Sequence, residues 1–257
     1  MLSRVSKVLL SWSTGKDSAW ALHLLRRRGE VEVVGLLMTL NEAADRVAMH
    51  DVRRELVEAQ AAAAGLPLYP VMLPHPCTNE VHEARMMAAI SEAIGRGVTH
   101  MAFGDLFLEE VRAYPVRLLE GTGIEPMFPV WSSVQETPAL ARRRLGTGLK
   151  AVVTCVNPRP LGESFLDCIY DQDFLADPPA GVDSCGERGE FHTFCFAGPE
   201  FTSEVCVRVG EAVSRVGSGS QTSVEKRLSG EGAVVAVPCR PFRSFGVSGD
   251  GRSEVSP

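Results

Sequence analysis

The 257-residue sequence predicts an α/β fold, a doubly wound and mostly parallel sheet with a smaller C-terminal part. Three observations predict it. Short apolar or β-branched runs alternate with amphipathic stretches from the N-terminus to residue 155. Glycine stands where the early amphipathic stretches should stop. Polar residues collect just after the apolar runs: Ser13 to Ser18, then Asn41 and Glu42, then Asp105 and Glu109. In parallel sheets, ligands bind beyond those carboxyl ends.

The elements follow in order. "KVLLSW" is a short apolar run with a glycine turn behind it, hence a buried first strand. Ala19, Leu22 and Leu25 have helical spacing between Ser18 and Arg28, and Gly29 ends that helix. Val31 to Met38 reads as strand two, and His50 to Gly65 as a helix ending on glycine. "LPLYPVML" is strand three, followed by the helix "NEVHEARMMAAISEAIGRG". "VTHMAFGD" is strand four, ending at Gly104 and Asp105. "EEVRAYPVRLLEGTG" is a helix expected to be interrupted at Pro115. "EPMFPVW" is a short strand whose prolines suit an edge. "TPALARRRLGTG" is a helix and "KAVVTCVN" a further strand. The expected organisation is an α/β domain over 1–155, a smaller C-terminal part over 156–212, and a Gly/Ser-rich, largely flexible tail over 213–257.

Bulk properties narrow the function classes. A net charge of −6 argues against a generally basic nucleic-acid surface. No apolar run approaches the roughly 18 residues of a membrane span, so no membrane partner is expected. "MLSRVSKVLLSW" lacks a small-residue cleavage site and leads into a glycine loop, so it reads as a first strand rather than a signal peptide. The seven cysteines are odd in number and form no C-x-x-C pair, which points to reduced thiols in a cytoplasmic protein. Zinc held by Cys185, His192 and Cys195 would fit no common finger spacing.

The first loop, "STGKDS", fails the Walker pattern at both ends: Asp17 follows Lys16, and Leu10 stands where the first glycine belongs. Its chemistry still suits phosphate. Ser13, Thr14 and Ser18 offer hydroxyls, Gly15 admits close backbone approach, Lys16 adds charge, and the loop opens a helix. An ordinary strand–helix turn with Asp17 as N-cap is the alternative. A second polar stretch, "CGERGEFHTFCF", places Glu187, Glu190 and His192 within six residues. They can hold an ammonium nucleophile, accept its proton or place Mg²⁺, or they can form a solvent-facing hairpin. Arg46 and His50 either reach a phosphate or acceptor, or begin a solvated helix.

"STGKDS" resembles the S-x-G-x-D-S loop of the PP-loop ATP pyrophosphatases, the adenine nucleotide alpha hydrolase group, which cut ATP between its α and β phosphates. With "NEAADRVAMHDVRRELVEAQAAAAGLPL", "FGDLFLEEVRAY", "EPMFPVW" and "CGERGEFHTFCFAGPEF", the chain resembles, from Val5 to Phe201, the ATP-binding family of diphthine–ammonia ligase in its short bacteria-type form. Ser184 stands where that family's pattern has proline.

The resemblance implies a Rossmann-like fold and an AMP-forming ligase that adenylylates a carboxylate and transfers ammonia to it. ATP, ammonium and Mg²⁺ are the implied small partners, with a carboxylate acceptor that could be a protein. No nucleic-acid partner is expected, and a homodimer is left open. Ser11, Ser13, Thr14, Gly15, Lys16, Asp17, Ser18, Gly104 and Asp105 are the expected ATP and pyrophosphate residues. Arg46, His50, Glu109 and Arg112 are the acceptor candidates, and Glu187, Glu190 and His192 the catalytic ones. No metal ligands are assigned. Two other readings stand beside this one: an ATP pyrophosphatase acting on RNA or another small acceptor, and a non-catalytic adenine-nucleotide-binding protein.

Overall fold

The computed structural model describes residues 5–47, 52–176, 179–216 and 222–229. Its first sheet contains β1 (Ser6–Ser11), β2 (Val31–Asn41), β4 (Leu68–Leu73), β5 (His100–Ala102) and β6 (Glu125–Met127), all parallel. The short β3 (Arg46–Val47) runs antiparallel to the end of β2. The parallel order is therefore β4-β2-β1-β5-β6. The chain builds outward from β1 to β4, then returns to place β5 beside β1. That reversal leaves a crevice beyond the carboxyl ends of β1 and β5, where α/β sheets bind ligands.

Helices cover both faces, as alternation along β1 requires. Val8 and Leu10 point into one core, shared with Leu22 and Leu25 of α1 (Lys16–Arg28) and Leu56 of α2 (Arg54–Ala64). Leu9 points into the other, with Met86 and Ile90 of α3 (Asn79–Gly95) and Leu119 of α4 (Glu109–Leu119). Gly29 and Gly65 end α1 and α2 in the left-handed conformation. The expected interruption at Pro115 does not occur. α4 runs on to Leu119 with Pro115 buried inside it, so the helix absorbs the lost amide hydrogen bond. β6 lies at the sheet edge, as its prolines suggested.

The run 150–156 departs from the alternating reading. It forms β7 (Lys150–Val156), which opens a second, antiparallel sheet of order β8-β7-β10-β9. β8 spans Phe191–Ala197, β9 Arg208–Val216 and β10 Thr222–Ser229. A buried apolar run has the same signature in either kind of sheet, so periodicity alone cannot tell them apart. Residues 213–216 and 222–229, expected in the flexible tail, are paired strands, while 230–257 lie outside the described residues. α5 (Thr137–Gly146) leads into the second sheet, and α6 (Gln172–Ala176) packs near it. Val152, Phe194 and Phe196 join the core that holds α1 and α2, so the two sheets share one interior. Among the described residues, no helix is long and apolar enough to cross a membrane.

Candidate functional site

A cleft of about 440 Å³ lies at the carboxyl ends of β1 and β5, within the usual range for a small-molecule site. The loop after β1 contributes Ser11, Ser13, Gly15, Lys16, Asp17 and Ser18. The segment after β5 contributes Phe103, Gly104, Asp105, Leu108 and Val111. The second sheet closes the cleft with Phe191, His192 and Thr193 of β8, and the turn before it adds Gly186 and Glu187. A side chamber of about 240 Å³ adjoins it, sharing Ser11, Phe103, Asp105 and Val111, and is lined by Trp12, Leu37, Met86, Tyr114 and Leu118. A separate cleft of about 370 Å³, with Lys7 and Arg96 in its wall, touches the starts of β1 and β4 and lies away from this crevice.

Gly15, not Asp17, is the N-cap of α1. It has no side chain to offer, and Thr193 Oγ1 on β8 accepts the hydrogen bond from the Lys16 amide at 3.1 Å. A Cβ on Gly15 would come within 3.1 Å of the Thr193 carbonyl oxygen. Gly104 likewise passes close to the helix start, where a Cβ would stand 3.0 Å from the Ser18 amide nitrogen. Ser18 Oγ donates to the Gly15 carbonyl at 3.1 Å and accepts from the Ser13 amide at 3.3 Å. The Ser13 hydroxyl also meets Ser18 Oγ at 3.1 Å. The loop and first turn of α1 thus form a cradle suited to an anion.

Thr14 contributes differently from its expected role. It adopts φ 66°, a costly conformation for a β-branched residue, and its side chain is buried outside the cleft lining. Its carbonyl accepts from Gln60 Nε2 at 3.0 Å and from the Cys195 amide at 2.9 Å. Gln60 also donates to the Cys195 carbonyl at 2.6 Å and accepts from Trp12 Nε1 at 2.9 Å. Thr14 therefore ties the loop to α2 and β8.

Charge is concentrated at the cleft. Lys16 is 2% exposed, with Nζ 2.9 Å from Asp17 Oδ2 and 5.0 Å from the Phe191 ring centre. The other Asp17 oxygen meets Arg144 Nη1 at 2.7 Å. Burial pushes the Asp17 carboxyl up, but Lys16 and Arg144 together hold it below its ordinary value. Burial, then the Asp17 charge, raises Asp105 to about 6 and Glu187 to about 7. Glu187 Oε1 accepts from the Leu106 amide at 2.9 Å, which ties the 183–190 loop to the segment after β5. Burial, then the Lys16 charge, lowers His192 to about 4, so its imidazole is neutral at pH 7. Among the described residues, no three His, Cys, Asp or Glu side chains are grouped to hold a metal ion.

The remaining candidates lie elsewhere. Glu190 is 5% exposed and outside the cleft lining. Its carboxylate accepts from the Asp183 amide at 3.0 Å and the Arg188 amide at 2.9 Å, bracing the turn that carries Glu187. Glu109 and Arg112 pair at 3.8 Å on the first turn of α4. The Arg112 guanidinium stacks on Trp131 at 4.6 Å and Phe128 at 4.9 Å, while Leu108 and Val111 face the cleft. Arg46 belongs to a separate depression with Asp45, Arg53 and Arg54. His50 lies outside the described residues.

Sequence reasoning missed Arg144, Gln60, Thr193 and Phe191. Arg144 had a legible signal: it shares a face with Leu140 and Ala141 of α5, while Arg142 and Arg143 face solvent. Gln60 and Thr193 act through partners far away in the chain, which local patterns do not show.

A comparison with curated proteins finds no match. Residues 6–126, just under half of the chain, match the family model of the diphthamide synthase N-terminal domain. The similarity stops short of the second sheet, although the motif resemblance ran on to Phe201. For the first sheet and its loop it supports the PP-loop, adenine nucleotide alpha hydrolase-like superfamily and an ATP-using enzyme of that type.

Proposed function

We propose that the protein is an AMP-forming ligase that adenylylates a substrate carboxylate with ATP and transfers ammonia to it. One observation carries this reading: a helix start suited to phosphate, with glycine at its N-cap, shares a cleft with Asp105, Glu187 and His192. The nucleotide's phosphates lie on Ser13, Gly15, Lys16 and Ser18, and the largely apolar side chamber takes the base. The acceptor carboxylate attacks the α-phosphorus, the Pα–O–Pβ bond breaks, and pyrophosphate leaves on the loop. Donors fixed before the reaction stabilise the charge that develops on that leaving group.

Ammonia then attacks the acyl carbon, and AMP leaves with the electrons of the broken C–O bond. Glu187, with its carboxyl held near 7, is suited to take a proton from ammonium. Neutral His192 and the carboxylates give the cleft a wall that accepts a small cation. The residues present also fit Mg²⁺, because magnesium commonly uses one or two carboxylates with substrate phosphates and water, and Asp105 and Glu187 both line the cleft. Bound there, Mg²⁺ would neutralise phosphate charge.

The test is incubation with ATP, ¹⁵N-ammonium and a cell extract as the source of acceptor. ATP-dependent ¹⁵N in a new amide, with AMP formed in parallel, is the expected outcome. AMP formation without nitrogen incorporation would remove the ammonia-transfer half.

A further inference from the structure

We propose that Arg144 is a positioning residue for the phosphate loop, holding Asp17 so that Lys16 can leave that carboxylate for incoming pyrophosphate. The proposal rests on the nucleotide reading above and adds a residue to it. Asp17 bridges two cations, Lys16 at 2.9 Å and Arg144 at 2.7 Å. Lys16, on the cleft wall, also sits over Phe191 at 5.0 Å and the buried Tyr170 at 5.6 Å. If Lys16 were the sole partner of Asp17, moving it to a phosphate would strand a carboxylate that is only 24% exposed, which is unfavourable. With Arg144 in place, Asp17 keeps a partner and the ammonium is released to the anion.

Arg144 is an improbable choice for stability alone. It is 0% exposed, and its Nε and Nη2 have no hydrogen-bond partner among the described residues. Among the described residues its Nη1 reaches Asp17 and, at 3.5 Å, the sulfur of Cys185. Buried guanidinium groups with unsatisfied donors are commonly no better than apolar side chains of similar size. The guanidinium stays charged, so it offers Asp17 a permanent countercharge. Local placement agrees: α5 buries Leu140, Ala141 and Arg144 on one face, which aims the guanidinium at the start of α1.

The experiment titrates the full chain calorimetrically with inorganic pyrophosphate and Mg²⁺. Arg144→Met is expected to weaken binding by about tenfold or more. In an Asp17→Asn background no carboxylate is left behind, so Arg144→Met should change affinity by less than about threefold. Equal losses in both backgrounds, or no loss in the single variant, would overturn the proposal. Arg144→Lys keeps a cation beside Asp17 and is expected to retain more affinity than Arg144→Met. Equal affinities of the two would also overturn it.

A second readout needs no ligand: the unfolding free energies of Arg144→Met, Asp17→Asn and the double variant by chemical denaturation. The double variant should lose less than the sum of the single losses, because Arg144 and Asp17 hold one another, and additive losses contradict the arrangement. If the wild-type protein binds no pyrophosphate, the nucleotide reading fails. The coupling then decides the Arg144 arrangement separately.

Discussion

The side chain of Thr193 caps α1 from across the molecule: its Oγ1 accepts a 3.1 Å hydrogen bond from the Lys16 amide, 177 positions away. The Thr193 carbonyl lies so near Gly15 that the loop has no room for a Cβ there without a shift. The second sheet therefore helps build the proposed phosphate cradle, and the loop is not a local feature of the first βα turn. Thr193→Val keeps the volume and removes the cap. It is expected to cost about 1 kcal/mol, within the usual range for lost N-caps, and to weaken pyrophosphate binding. Chemical denaturation and calorimetry measure the two effects, and unchanged values in both would show that the contact has no energetic role.

Glu187 gives a pH prediction. Burial first, then the Asp17 charge, raises its carboxyl to about 7. In the proposed reaction it accepts a proton and acts when ionised, so kcat/KM should rise with pH through about 7. Glu187→Gln removes that limb together with most of the activity. A profile of the variant that keeps the same rising limb would assign it to another group.

Much of the first sheet was legible because its signals are local. Gly29 and Gly65 mark helix ends, and Ser13, Lys16, Asp17, Ser18 and Asp105 line the cleft, without Thr14 or Glu109. The second sheet was harder to read. "KAVVTCV" is apolar throughout, which fits a buried strand of either sense, and its partner β8 begins at Phe191. The Ser- and Gly-rich stretch hid the antiparallel β9–β10 pair because composition outweighed the short alternation in "SVEKRL". Glu190 and Glu187 look equivalent in sequence. Their difference lies in partners, two backbone amides of its own loop for Glu190 against the Leu106 amide at the cleft for Glu187.

That difference predicts opposite phenotypes. Glu190→Gln replaces one accepting oxygen with an NH₂ group facing a backbone N–H. The expected cost is stability, about 1–3 kcal/mol, with turnover largely kept well below the melting temperature. Thermal unfolding and activity at low temperature separate the two. Full stability with lost turnover would return Glu190 to the catalytic group.

Glu200 predicts how stability changes with pH. It is buried beneath β8, and burial raises its carboxyl to about 7 from 4.5. Its backbone carbonyl accepts from Arg26 at 2.8 Å, and its Oε1 lies 3.7 Å from the Cys195 sulfur. Because the folded value lies above the unfolded one, this stabilisation is fully present below about 4.5 and is lost as pH rises through about 7. At roughly 1.4 kcal/mol per unit, the ceiling is about 3.5 kcal/mol. Denaturation from pH 5 to 8 should show a shallower decline for Glu200→Gln than for the wild type. Parallel curves would contradict the assignment.

The measurement that tests the central claim most directly separates the nucleotide products of turnover supported by ammonium and a carboxylate-bearing extract. With ATP labelled at the α phosphate, the label is expected in AMP with an equal amount of pyrophosphate, because in the proposed function the loop after β1 holds the departing β and γ phosphates. Label in ADP with release of inorganic phosphate would contradict the account.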